Sequence, residues 1–286
     1  MKRIIVPTDF SKEAGFAFDF AADIAKTLEA KILLLHVLEI PYGSFSIMGE
    51  IHTDYSFEQL YQVKLIRKTT ERLREMVEEL QKRGIDADSK LKFGNPFDNI
   101  SKTIVEQDVD LVVMGSKGAS GLTEILIGSN AERVIRHAKC PVFTIKGETK
   151  LANIKSMAFA SDMTEEQDVL VDKVKELQQL LGLKIHLVRV KTPYNYLSEG
   201  QALKQLKDFV KRNEIKDYSI STIESEFADE GILRFANENN VGLIAMGTHG
   251  RTGLAHFFGG STAEDVANHS HIPIWTIKLE EVFETA

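Results

Sequence analysis

Two glycine motifs of one spacing carry the strongest chemical signal in this chain. Gly115-x2-Gly118-x9-Gly128-Ser129 occurs once, and Gly247-x2-Gly250-x9-Gly260-Ser261 occurs again 132 residues later. In each, an apolar run ends at the first glycine and a helical pattern begins at the last. Glycine lets a backbone approach a ligand closely and adopt dihedrals that other residues resist. A helix N-terminus offers unpaired N–H groups and the positive end of the helix dipole, which together favour phosphate. A strand, a glycine loop and a helix start can therefore enclose a polyphosphate. A purely structural reading stands beside this one. Ser129-x-x-Glu132 and Ser261-x-x-Glu264 both have the form of a capping box, which would hold the helix start with no ligand present.

Asp9 and Asp162 follow the first apolar run of each half, and Asp162-x-x-Glu165 also has the capping-box form. Asp162 taken alone is thus as readily a cap as a ligand contact. Position favours the ligand. In doubly wound sheets ligands bind beyond the carboxyl ends of the strands, where the strand order reverses. If the first and fourth strands are neighbours, Asp9 and the first glycine loop face one crevice, with Val37 on its wall. Asp162, Val190 and the second loop would do the same in the second half.

The elements that must position these residues repeat. From Leu111 to Lys146 the chain aligns with Leu243 to Lys278 at an offset of 132, while Asp9 and His36-Val37 align with Asp162 and Arg189-Val190 at 153. The difference of 21 residues is extra sequence in the first copy after Val37, within Pro41–Gln62, placed where it could close over a pocket or pack as a surface loop. In the first copy, strands are expected at Arg3–Pro7, Lys31–Val37, Ser89–Phe93, Asp110–Met114 and Pro141–Lys146. Helices are expected near Ser11–Glu29, with Phe16, Phe20 and Ile24 on one face, and at Glu58–Arg83, Phe97–Gln107 and Ser129–His137. Near-continuous apolar strands alternating with helices indicate a parallel sheet covered on both faces. The fold class is α/β, with two tandem doubly wound domains at 1–146 and 153–286.

Composition excludes several classes. The chain has 286 residues, a net charge of -7 and a pI near 5.7, which argues against non-specific binding to nucleic acid or anionic membrane. The one cysteine, Cys140, rules out an intrachain disulfide and a cysteine zinc finger, and reads as a small buried residue before a strand. His249, His256, His269 and His271 cluster in the second copy, but His269 and its counterpart His137 suit helix ends better than a metal site. The opening apolar run, Ile4–Val6, stops at Pro7, short of a secretory or spanning segment, so the cytoplasm is the expected compartment.

These residues resemble the universal stress protein family in its tandem form. The likeness rests on Pro-Thr-Asp9, Ser-Asp162, the two glycine motifs, and the closing Pro-Val-Phe-Thr-Ile and Pro-Ile-Trp-Thr-Ile strands. It implies five-stranded parallel sheets of order 3-2-1-4-5 and an ATP-binding branch of the family. It also implies that Asp9 and Val37 contact adenine while Gly115, Gly118, Gly128 and Ser129 hold ribose and phosphates. Asp162, Val190, Gly247, Gly250, Gly260 and Ser261 would be the second set. Such proteins act in stress survival by binding and signalling, with weak or no hydrolysis.

The chain has no Gly-x4-Gly-Lys-[Ser/Thr] loop and no paired carboxylates evidently placed for phosphoryl transfer, so binding of ATP, with magnesium brought in by the phosphates, is expected over catalysis. The alternatives are a slow ATP-hydrolysing enzyme, or a sensor or scaffold holding a lipid or other metabolite in the same pocket. Val142–Lys146 and Ile274–Lys278 would be unpaired sheet edges in that strand order, so the halves are expected to join there as a pseudo-dimer, with homo-oligomers a further possibility. Glu226-Phe-Ala228 stands where the first copy has Gly94-Asn-Pro96. On that ground the first copy is expected to bind nucleotide more tightly than the second.

Overall fold

The computed structural model describes residues 2–39, 57–116, 127–195, 197–248 and 262–279. In the first half the elements are β1 (Arg3–Pro7), α1 (Lys12–Leu28), β2 (Lys31–Leu38), α2 (Phe57–Lys82), β3 (Ala87–Phe93), α3 (Pro96–Glu106), β4 (Leu111–Gly115), α4 (Ser129–His137) and β5 (Val142–Ile145). A short turn at Leu151–Asn153 leads to the second half. There follow β6 (Ser156–Ala160), α5 (Asp168–Leu181), β7 (Lys184–Lys191), α6 (Glu199–Arg212), β8 (Tyr218–Glu224), α7 (Ala228–Glu238), β9 (Leu243–Thr248), α8 (Thr262–His269) and β10 (Ile274–Lys278).

Each half has the expected order, and the two sheets are one. The strands run β3-β2-β1-β4-β5-β10-β9-β6-β7-β8. All pairs within a half are parallel, while β5 and β10 pair antiparallel with Trp275 opposite Phe143. Successive strand residues point to opposite faces, so Ile4 and Val6 join one buried layer and Ile5 the other. The first layer is covered by α1, α2, α5 and α6, through residues such as Phe20, Leu80, Leu177 and Phe209. The second is covered by α3, α4, α7 and α8, through Ile104, Val134, Phe235 and Val266. Both layers run through the seam.

Helix α1 shows how closely the layers approach. Ser11 is its N-cap, accepting from Ala14 N at 3.2 Å, and Glu29 closes it in a left-handed conformation. Phe20 and Ile24 are buried as expected, whereas Phe16 lies at the margin. Alanines 14, 17, 21, 22 and 25 make up much of the rest of the buried face. These small side chains let the helix axis sit low on the sheet. Cys140 is buried before β5, and burial pushes its thiol up to about 12.

Seam packing has a measurable consequence. Phe143 and Trp275 are 1% and 3% exposed. A charge at either position would be buried without a partner, so Phe143→Asp or Trp275→Asp should cost ~3 kcal/mol or more. Thermal melting and limited proteolysis between the halves would detect this. Wild-type melting in both variants would show that the seam contributes little.

Candidate functional site

The crevice forms where β1 and β4 lie side by side while the chain leaves them for opposite flanks of the sheet. β1 pairs with β2 on one side and β4 on the other. The ends of these parallel strands place Asp9, Val37 and Gly115 along one edge.

At the end of β1 the backbone turns sharply. Phe10 has φ +63°, its N–H donates to Thr8 Oγ1 at 3.1 Å, and Asp9 Oδ1 accepts from Ser11 N at 3.0 Å. The second half repeats the turn. Met163 has φ +60°, its N–H donates to Ser161 Oγ, and Asp162 Oδ1 accepts from Thr164 N and Oγ1. The capping box expected at Asp162 does not form, because α5 starts only at Asp168, after a 3-10 turn at Glu165–Gln167. Both aspartates thus shape the strand exit. Asp9 is half-buried and Asp162 exposed.

The residue beside that turn has diverged, a feature that sequence reasoning used only for alignment. His36 is buried, its Nδ1 lies 2.7 Å from Thr8 O, and its ring stacks on Phe10 with centroids 4.6 Å apart. Burial lowers its pKa, and the nearby Arg72 acts in the same direction. In the second half the position holds Arg189, buried with its guanidinium donating to Asp162 O. On the sheet face opposite Val37 and Val190, one half thus carries an imidazole and the other a cation.

The glycines divide into two kinds. A Cβ on Gly115 would lie 2.8 Å from Glu13 C and 3.0 Å from Ala14 N, both backbone atoms of the α1 start. This glycine is required by packing, whatever binds nearby. A Cβ on Gly247 would meet Leu170 Cδ1 at 2.5 Å, the tip of a side chain able to turn aside. Gly128 is different. It is the N-cap of α4 in extended conformation (φ −66°, ψ 143°), and Ser129 is the first helical residue. The capping box expected at Ser129 and Glu132 is therefore absent, since a serine inside the helix cannot cap it and glycine has no side chain to do so. Among the described residues no acceptor meets the N–H groups of Ser129, Asn130 or Ala131. Gly128 N donates to Ser116 O at 2.8 Å, which ties the two ends of the loop together. An uncapped helix start behind a closed loop base fits an incoming phosphate. Gly118, Gly250, Gly260 and Ser261 lie outside the described residues, as does most of Pro41–Gln62.

Gly94-Asn-Pro96 has a local cause. Gly94 takes φ +104°, Asn95 caps α3 by accepting from Asp98 N, and Pro96 is the first helical residue. In the second half Ser225 N donates to Lys191 O as Gly94 N does to Leu38 O, so Ser225 is the counterpart of Gly94. The aligned Glu226 is thus part of a loop one residue longer, and its N-cap, Phe227, has no side-chain cap.

A family model described as the universal stress protein family matches residues 1–146 and again 153–278. The chain belongs to that family. A universal stress protein of Synechocystis is 25% identical over 297 residues, spanning 97% of this chain and all of that one. A universal stress protein of Methanocaldococcus jannaschii is 33% identical over 156 residues, covering 52% of this chain and 84% of its own. The crystal structure of a universal stress protein from Archaeoglobus fulgidus superposes with a TM-score of 0.76 at 23% identity, covering 97% of this chain and 98% of that one, a likeness of fold. No helix among the described residues is long and apolar enough to cross a membrane.

Two outcomes follow from the geometry of these universal stress folds. Gly115→Ala forces backbone against backbone and should cost ~1–3 kcal/mol. Gly247→Ala should cost less, and equal losses in melting would refute this ordering. His36 favours its neutral form in the fold, while an unfolded histidine ionises near 6.5. As pH falls below about 6.5 the unfolded state takes up the proton first, so stability is lost towards the folded value. The drop in melting temperature between pH 7.5 and 5.5 should therefore be smaller in His36→Gln than in the wild type.

Proposed function

We propose that the chain is a nucleotide-binding regulatory protein of the cytosol that holds ATP in its first half and turns it over slowly if at all. The supporting observation is the start of α4, where a glycine N-cap has no capping side chain and the N–H groups of Ser129, Asn130 and Ala131 meet no acceptor among the described residues. Phosphates would lie there against Gly128 and Ser129, with Gly118 in the loop, and a magnesium ion would arrive with them. Asp9 and Val37 would border the base and ribose. The division into 1–146 and 153–286 gives each half one such crevice, and the antiparallel β5–β10 pairing supports reading them as a pseudo-dimer within one chain.

The second crevice is the weaker candidate. Val190 is buried, and Gly231 of α7 approaches it so closely that a Cβ there would sit 2.6 Å from its Cγ1. Lys191 next to it is clamped by Glu199 Oε2 at 2.7 Å and Glu224 Oε1 at 2.9 Å, where the first half has the apolar Leu38. The close cover on Val190 and the charged strand end make Asp162, Gly247, Gly250, Gly260 and Ser261 the poorer set.

Gly128→Asp tests the reading directly. Its backbone conformation suits any L-residue, so an aspartate should cap α4 and keep or raise the melting temperature. The same carboxylate would occupy the N–H groups and repel phosphate, weakening ATP by about tenfold or more. Unchanged ATP affinity would remove the helix start from the mechanism. A larger loss from Gly260→Asp would reverse the ranking of the halves. Turnover of ~1 per second or faster would make the protein an enzyme.

A further inference from the structure

Arg136 and Asn268 occupy the same position in the two copies, 132 residues apart, each next to last in the closing helix of its half. Both reach across the seam. Asn268 Oδ1 accepts from the backbone N–H of Ile127 at 2.7 Å, the residue that immediately precedes Gly128. Arg136 grips Glu264, the third residue of α8, with Nε 2.7 Å from Oε1 and Nη2 donating to Oε2 at 3.0 Å. Each closing helix therefore holds the entry to the other half's closing helix.

The side chains differ because the groups they meet differ. The N–H of Ile127 needs an acceptor, which a guanidinium cannot be, whereas the Glu264 carboxylate needs donors. One duplicated position has taken up opposite chemistry to perform the same task on each side. Asn268 is itself fixed, since Lys146 of the first half donates to its main-chain carbonyl. Thr248 adds a further bond across the seam, donating to Ile135 O at 3.3 Å. The chain entering α4 is consequently held at two successive amides. Gly128 N is held by Ser116 of its own half and Ile127 N by Asn268 of the other.

We propose that Asn268 is a positioning residue for the phosphate end of the first crevice, so that the second half completes the first half's nucleotide site in trans. The inference rests on the ATP-binding reading above. Backbone donors recognise phosphate only when held near their final geometry, and a loop left free must be ordered by the ligand at a cost in affinity. Asn268 supplies that order before the ligand arrives. The second half then serves as a built-in partner to the first half's site.

The test uses the full-length chain with Asn268→Leu, which keeps the volume and removes the acceptor, and Asn268→Ala as a smaller change should leucine disturb the seam. Calorimetry with ATP and with adenosine is compared, alongside hydrogen exchange at the Ile127 amide. ATP affinity should fall about tenfold, the scale of one lost anchoring hydrogen bond. Adenosine affinity should stay as in the wild type, and the Ile127 amide should lose protection. A residue that only stabilised the seam would lower both affinities together or neither, and either result overturns the proposal. If the wild type binds ATP and the variants match it, only the positioning role fails. If the wild type binds no ATP, the nucleotide reading fails and this inference with it.

Discussion

The antiparallel pairing of β5 with β10 is the contact on which the rest of the molecule depends. Each half alone would end in an apolar strand with unpaired backbone groups, an edge that invites association with another chain. Joining the two edges removes the exposed strands and makes a single sheet with two continuous buried layers. It also sets α4 beside α8, which is why Arg136 meets Glu264 and Asn268 meets Ile127. The seam thus closes both sheet edges and places Asn268 of one half against the chain entering α4 of the other.

Within each crevice, packing and recognition draw on the same residues. Gly115 is glycine because α1 sits against it, and α1 sits low because its buried face is rich in alanine. That close approach brings the Asp9 turn next to the end of β4. Gly128, by contrast, has dihedrals that any L-residue adopts. A residue with a capping side chain would stabilise α4 better. Its being glycine is a local loss, and a helix start without a capping side chain is what that loss leaves.

Duplication followed by divergence explains why the two crevices are no longer alike. The second half keeps its aspartate and glycines but has replaced a neutral buried histidine by Arg189 and an apolar strand end by Lys191, which is held by two carboxylates. Its Gly231 lies close against Val190, and its α7 starts without the Gly94, Asn95 and Pro96 turn that opens α3. The described residues of this half thus differ from the first at the strand ends, and Asn268 and Glu264 join it to the first half across the seam.

The sequence by itself determined the strand and helix order, the duplication, and most element positions to within a residue or two. Such features are written in consecutive residues, as apolar runs and helical periodicity, and need no distant partner. It also located Asp9, the glycines and the likeness to universal stress proteins. It offered two capping boxes that do not form. Ser129 and Asp162 have the spacing of caps, but the register of each helix on the sheet, set by packing, begins α4 at Ser129 itself and delays α5 to Asp168. Only the tertiary structure decided why Gly115 is glycine, that Arg189 lies under Asp162, and that Asn268 reaches Ile127. Each of these joins residues far apart along the chain, and no local pattern records which backbone group a folded neighbour will leave in need of a partner.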